Sequence, residues 1–300
     1  GIEDVQALTS DTLWNIRELP KRLVVVGGGP IGCELAQTFA RFGSEVTILE
    51  GMNRLLLKED IEVSDAVRTK FEAEGITVLT GHMVEGFKND DGAKVVHCDC
   101  KPKKLNIECD EIIMALGRKA NVTGFGLEEL GVEIRKNGTI EVDDFLRTNY
   151  PNIYAVGDVT GPYQFTHFAA HQAWYAAVNS LFSPFKKFKT DYRVIPWTTF
   201  TDPEVARVEI NEQEAIDEGI DFEVTRYGLD DLDRAIADGE DSGFVKVITP
   251  KGKDKILGAT IVGSHAGDLL TEFVLAMKHG LGLNKILGTI HAYPTMSEAN

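Results

Sequence analysis

Gly27, Gly29 and Gly32 are spaced as G-x-G-x-x-G, with Pro30 and Ile31 between the last two. A turn of this spacing suits a pyrophosphate. The first glycine permits the tight turn, the second lets backbone approach the phosphates, and the third lets the next helix pack on the strand. The helix that opens there offers unpaired N–H groups and the positive end of its dipole. Glu50 ends the following apolar run, roughly 20 residues beyond the last glycine. A carboxylate there accepts hydrogen bonds from the adenosine ribose and repels a 2′-phosphate, so NAD is expected over NADP. Arg54 is near enough in sequence to blur that preference. Glu34, at the start of the helix, serves either the helix dipole or a position near the nicotinamide.

Other chemistry-bearing residues are sparser. The four cysteines are Cys33, Cys98, Cys100 and Cys109, with no Cys-x-x-Cys or Cys-x4-Cys pair among them. Cys98 and Cys100 would share one face of a strand, but nothing nearby completes a metal site, so the cysteines read as structural. His167 and His171 are four apart on one helix face, a metal-ligand spacing without a third ligand, and packing is the expected role. Asp268 and Glu272 are expected to cap and line an exposed helix face. No metal site is assigned.

The elements that would position these groups follow from periodicity. A capped helix is expected at Ser10-Asp11, ended by Pro20. A strand over 22–27 runs into the glycine turn, a helix over 31–41 is stopped by Gly43, and a second strand covers 45–50. A helix over 60–74, with Ile61, Ser64, Val67 and Phe71 on one face, precedes a strand over 76–80. Alternating strands and helices predict a parallel sheet. Antiparallel strands follow over 84–109 around the turn at 89–92, then a buried strand over 111–116. Residues 120–150 are loop-rich, 153–158 form a strand ending in a sharp turn, and 166–182 form a helix. From 191, strands over 204–210, 222–227, 243–249 and 256–263 and helices over 212–218 and 266–281 predict an α+β unit.

Composition narrows the class. The 300 residues carry 47 Asp+Glu against 31 Lys+Arg, a formal charge of −16. Nucleic-acid binding requires a basic surface and is disfavoured. No apolar run reaches the ~18 residues of a membrane span. A cytoplasmic protein is expected, unless an upstream segment anchors it.

Several further segments resemble one family. Residues 148–158, ending in Gly157-Asp158, resemble the second FAD-binding motif of the flavoprotein disulfide reductases, whose aspartate binds the ribityl chain of the flavin. Ala115-Leu-Gly117-Arg118 resembles the segment that leads from the NAD domain to the FAD domain. Gln164-Phe165-Thr166-His167 resembles the start of the helix aimed at the pyrimidine side of the flavin, where its dipole favours negative charge. Thr201–Ala206 and Tyr293–Glu298 resemble interface-domain signatures. The resemblance covers essentially the whole chain and is nearest to dihydrolipoamide dehydrogenases and mercuric-reductase-like proteins.

The resemblance implies a Rossmann-like NAD-binding domain (20–118), the C-terminal part of an FAD-binding domain (119–190) and an α+β dimerisation domain (191–300), after a linker (1–19) from a missing FAD half. It implies a homodimer, with FAD and NAD as cofactors. Hydride would pass from nicotinamide to flavin and on to a small-molecule thiol or metal-ion acceptor. The chain departs from the family in two ways. It has neither the family's first FAD motif nor its Cys-x4-Cys pair, so the resemblance leads to the expectation of a C-terminal fragment, inactive alone. The catalytic His before Pro-Thr is replaced by Tyr293, while Glu298 is retained. A phenol with an ordinary pKa near 10 is a poor proton shuttle at neutrality. Mercuric reductases and soluble transhydrogenases resemble the chain at that tyrosine; a packed interface aromatic is the alternative. His291 could share the side of Tyr293. Two other readings remain: an NAD-binding and dimerisation module, and a transhydrogenase- or NADH-oxidase-like flavoprotein.

Overall fold

The computed structural model describes residues 1–90, 92–99 and 104–300. In chain order the elements are α1 (Ile2–Val5), β1 (Arg22–Val26), α2 (Pro30–Phe42), β2 (Glu45–Glu50), α3 (Ile61–Ala73), β3 (Thr77–Thr80), β4 (Met83–Asp90), β5 (Ala93–Asp99), β6 (Lys104–Cys109) and β7 (Glu111–Met114). There follow α4 (Leu127–Leu130), α5 (Thr166–Phe182), β8 (Pro196–Thr199), β9 (Glu204–Glu209), α6 (Glu212–Asp217) and β10 (Phe222–Gly228). The last are α7 (Asp233–Asp238), β11 (Phe244–Pro250), β12 (Gly258–Gly263), α8 (Ala266–Lys278) and α9 (Leu283–Leu287). The chain folds as two compact units, one of residues 1–116 with 196–300 and one of residues 117–195.

The first unit holds a parallel sheet ordered β3-β2-β1-β7, as strand–helix alternation predicts. In β1, Leu23 to Val26 are all buried, because helices cover one face and a second sheet covers the other. Leu23, Val25 and Ile48 pack with Cys33 and Ala36 of α2 and Val67 and Phe71 of α3. Val24, Val26, Leu49 and Ile112 pack instead with Val96, Cys98 and Cys109. Those three belong to an antiparallel sheet ordered β4-β5-β6. A five-stranded sheet, β10-β11-β12-β9-β8, completes this unit, and its Val205, Phe244 and Val262 join the first cluster.

The second unit is loop-rich over 117–165, has Val132, Ile140 and Ala155 in its small core, and continues through the 17-residue α5. It carries the segment that resembles the FAD motif.

Several expectations need correction. The capped helix at Ser10-Asp11 is a 3₁₀ turn over Leu13–Asn15 without a side-chain cap. In the segment before it, Leu8 makes an isolated bridge to Ile113 and Val5 is buried. Ile61 is exposed, and Val63 takes its place on the inner face of α3. Residues 153–158 form no strand; Tyr154 makes one isolated bridge to Arg147, and a 3₁₀ turn follows over Gly157–Val159. The element β8 was not anticipated, nor were α7 and α9. Cys100 lies outside the described residues, as does Asp91 of the 89–92 turn.

Candidate dinucleotide and flavin sites

The glycine turn is built as its spacing requires. Gly27 adopts a φ of +114°, and a Cβ there would lie 2.5 Å from the Ala115 carbonyl oxygen. A Cβ on Gly32 would lie 1.9 Å from the Gly27 carbonyl oxygen, so only glycine lets α2 approach β1 this closely. A Cβ on Gly29 would meet nothing within 4 Å. Gly29 is the residue before α2, whose first turn holds Pro30 and Ile31; proline at that place is preset for the helix. The open space thus sits at a helix N-terminus, where N–H groups and dipole both favour an anion.

Glu50 does more than end β2. Its Oε2 accepts from the Gly28 N–H at 2.7 Å and its Oε1 from the Met52 N–H at 2.7 Å. The carboxylate therefore fixes the turn and leaves further lone pairs for hydroxyl donors. Arg54 is folded back: its Nη2 donates to the carbonyls of Leu57 at 2.9 Å and Glu59 at 3.3 Å. The guanidinium of Arg54, near Glu50 in sequence, is thus engaged by its own loop. Glu34 accepts from the Phe200 N–H at 2.8 Å. Burial raises its carboxyl above the usual range, and the Phe200 N–H partly offsets this.

The second unit gathers the flavin-motif residues. Gly157, at φ +77°, donates its N–H to Gln172 Oε1 at 2.6 Å. Buried Gln172 also donates to Thr160 Oγ1 and to Tyr192 Oη, at 3.2 and 2.9 Å. Asp158 pairs with Arg118, whose Nη1 also donates to the Gln164 carbonyl at 3.0 Å. Gly117 precedes that arginine at φ +116° with open space where a Cβ would stand. Phe165 precedes α5 and stacks on His167, their rings 5.2 Å apart and nearly parallel. Thr166 and His167 open α5 and are exposed.

The C-terminal residues are arranged differently from the expectation. Tyr293 is 70% exposed and its hydroxyl donates to Asp233 Oδ2 at 2.9 Å, which raises the phenol above its ordinary value. His291 does not share that side; its Nε2 faces Glu272, 2.9 and 3.0 Å from the two carboxylate oxygens. Glu272 is accordingly not a free surface acid, and Asn300 Nδ2 also donates to it. Glu298 Oε2 accepts from the Thr295 N–H at 3.0 Å in a capping box. Tyr293 and Glu298 are thus five residues apart in sequence but bonded to different partners.

Cys33, Cys98 and Cys109 are buried. Burial pushes the Cys109 thiol up to about 12 and Cys33 higher still, which keeps both protonated and unreactive.

Comparison with known proteins decides the family. Residues 1–173 match the pyridine nucleotide-disulphide oxidoreductases, and residues 195–300 match the dimerisation domain of the same group. The chain belongs to this family. It is 37% identical to a mercuric reductase of Bacillus cereus, over 99% of this chain and 47% of that protein. It is 36% identical to a dihydrolipoyl dehydrogenase of Chlamydia muridarum, over 97% of this chain and 61% of that protein. The chain thus spans about half to three fifths of these curated relatives. Among solved structures it resembles the HOCl-induced flavoprotein disulfide reductase RclA of Escherichia coli, at 30% identity and a TM-score of 0.89, covering 99% of this chain and 68% of that one. The Cu(II) complex of RclA gives 29% identity and a TM-score of 0.90, covering 99% of this chain and 67% of that one. The α/β fold, with its Rossmann-like parallel sheet and its antiparallel interface sheet, is that of this family.

Two contacts of the candidate-site residues escape sequence reading. Gln172 holds the Gly157 turn from 15 residues away, and a lone glutamine in a helix carries no signal of that. The Asp233 partner of Tyr293 lies 60 residues off, on a short helix that periodicity does not reveal.

Proposed function

We propose that this chain is the NAD(H)-binding, partial FAD-binding and dimerisation portion of a flavoprotein oxidoreductase. In that enzyme hydride passes from nicotinamide to flavin and on to a thiol or metal-ion acceptor, as in mercuric-reductase-like proteins. The supporting observation is the open cradle at Gly29. It stands at the start of α2, where the first N–H groups of a helix lack intrahelical partners, while Gly27 and Gly32 have no room for a side chain.

In this reading Gly27, Gly29, Pro30, Ile31 and Gly32 hold the pyrophosphate of NAD, and Glu50 accepts from the ribose. Glu34 orders the segment around Phe200 and is placed toward the nicotinamide end. Gly117, Arg118, Gly157 and Asp158 serve the ribityl and phosphate side of FAD, with Phe165, Thr166 and His167 presenting the start of α5. The flavin, when bound, supplies the two-electron relay between the nicotinamide and the acceptor. Arg118 neutralises Asp158 and presents a cation, and Tyr293 holds its proton on the phenol oxygen at neutral pH. Both are suited to positioning and neither to shuttling protons. No Cys-x4-Cys pair occurs in the 300 residues, so the proposal assigns no disulfide exchange to this chain. The proposed domains are 20–118 for NAD, 119–190 for part of FAD and 191–300 for a homodimer interface.

The full reading-frame product, purified with its flavin, is to be titrated anaerobically with NADH. Bleaching of the flavin absorbance at one equivalent is the expected result. A flavin that stays oxidised, or a protein that carries none, overturns the reading. Equilibrium dialysis of the 300-residue chain against NAD and FAD separates the two sites, because the NAD site is complete within it.

A further inference from the structure

The loop over residues 51–60 lies on the glycine turn. The Leu56 N–H donates to the Gly28 carbonyl at 2.8 Å, and a Cβ on Gly28 would lie 2.6 Å from Leu55 Cδ2. Leu56 is buried yet sits at φ +46°, a conformation that a leucine keeps only when its surroundings impose it.

The end of the same loop is held by residues about 150 positions later. At the end of the loop stand two buried acids, Glu59 and Asp60. Glu59 accepts from Trp197 Nε1 of β8 at 3.1 Å and faces Arg207 Nε of β9 at 3.2 Å as an ion pair. Arg207 is itself buried, lies over the Trp197 ring, and donates to Glu214 of α6 through Nη1 and Nη2. Asp60 accepts from the Gln213 N–H at the start of α6, and it pairs with Lys246 Nζ of β11 at 2.5 Å. Lys246 is 2% exposed and also reaches Glu62 and Glu212. Asn211 Nδ2 donates to the Lys58 carbonyl at 2.9 Å. Asp60, Glu62 and Glu212 lie close enough together to suggest a cation site, but the lysine ammonium already occupies that role.

We propose that Arg207 and Lys246, on the interface-domain sheet, are positioning residues for the dinucleotide turn, acting through Glu59, Asp60 and the 51–60 loop. This rests on the NAD reading above. Each cation is buried against a carboxylate at the end of the loop and ties it to the sheet. Removing it breaks that tie, which frees the loop, and separately leaves an uncompensated charge that lowers stability. A displaced loop withdraws Leu55 from Gly28 and Leu56 from the Gly28 carbonyl. The turn then loses the packing and the hydrogen bond that hold Gly28 in place.

The test uses the full-length protein and the variants Arg207→Met, Lys246→Met and the pair Glu59→Gln with Arg207→Met. Hydrogen exchange of peptides covering 26–33 and 51–60 is read without ligand, NADH binding by fluorescence, and unfolding by urea. Faster exchange in both peptides and a roughly tenfold weaker NADH complex are expected for the single variants. The double variant leaves no unpaired charge at Glu59 but still lacks the tie to the sheet, so its urea midpoint should recover toward wild type while its NADH affinity stays low. That split is not expected of residues that only stabilise the fold. Variants that bind NADH within about twofold of wild type, with unchanged exchange at 51–60, overturn the proposal. If NADH affinity recovers together with the urea midpoint in the double variant, the two cations act on stability alone and the proposal also fails. If the wild-type protein itself does not bind NADH, the NAD reading fails, and the exchange data still judge the clamp.

Discussion

Gly29 and Gly32 are three residues apart, yet a methyl group added at each meets opposite surroundings. At Gly32 it would lie 1.9 Å from a carbonyl oxygen, so Gly32→Ala should cost at least about 2 kcal/mol and shift α2 from β1. At Gly29 it meets open space, so Gly29→Ala should leave stability within about 0.5 kcal/mol. The same change should weaken NADH binding by roughly tenfold or more, because the methyl fills the approach to the pyrophosphate. Urea unfolding with fluorescence titration checks both. Glu34 gives a pH prediction. Burial lifts its folded carboxyl above the unfolded value, so its charge opposes folding above the raised value, and the cost fades as pH falls toward 4.5. Glu34→Gln keeps an acceptor for the Phe200 N–H. It should therefore be more stable than wild type at neutral pH, with the difference shrinking on acidification. Urea midpoints measured across that range decide it.

The elements around the glycine turn were readable because local rules agree there: a β-branched run, three spaced glycines, helical periodicity and an acid at the end of β2. The elements that failed were those whose fate is decided elsewhere. Residues 153–158 look like a strand, but among the described residues they make only the single bridge to Arg147, and the segment turns at Gly157 instead. The element β8 begins with Pro196 and Trp197 and shows no alternation to read. Lys246 lies in β11 among six consecutive buried residues, and nothing near it in sequence announces Asp60 as its partner. Within the second unit, α5 and the turn at 157–160 are joined by Gln172, so Gln172→Ala strands the Gly157 N–H and loosens the turn. A loss of about 1–3 kcal/mol is expected, measured by urea unfolding. Rescue by Gln172→Glu at low pH, where the acid is protonated and keeps an acceptor oxygen, would tie the loss to that hydrogen bond.

At the scale of the whole molecule, residues 195–300 match a dimerisation domain, and Leu275, Leu287 and Ile290 of that segment are exposed apolar side chains. Sedimentation equilibrium should give twice the mass of one chain, and Ile290→Asp should shift the population toward the single chain. The charge of −16 leads to a further expectation: in an electrophoretic mobility assay at physiological salt the protein should not retard duplex DNA. A sequence can suggest both through composition and family likeness. The arrangement of Tyr293 with Asp233, and of His291 with Glu272, depends on contacts 60 and 19 residues apart and was not legible.

The first compact unit is discontinuous: its chain leaves at residue 116 and resumes at 196. On the ribosome this imposes an order of events. Glu59 and Asp60 emerge well before Arg207 and Lys246, and at roughly 5–20 residues per second the wait is on the order of 10 s. During that interval the nascent nucleotide-binding segment carries two acids that cannot yet be buried, and it should stay open to proteases and chaperones. Arrest of synthesis before β11 should leave a protease-sensitive chain, and arrest well beyond residue 300, with all of it outside the ribosome, a resistant one.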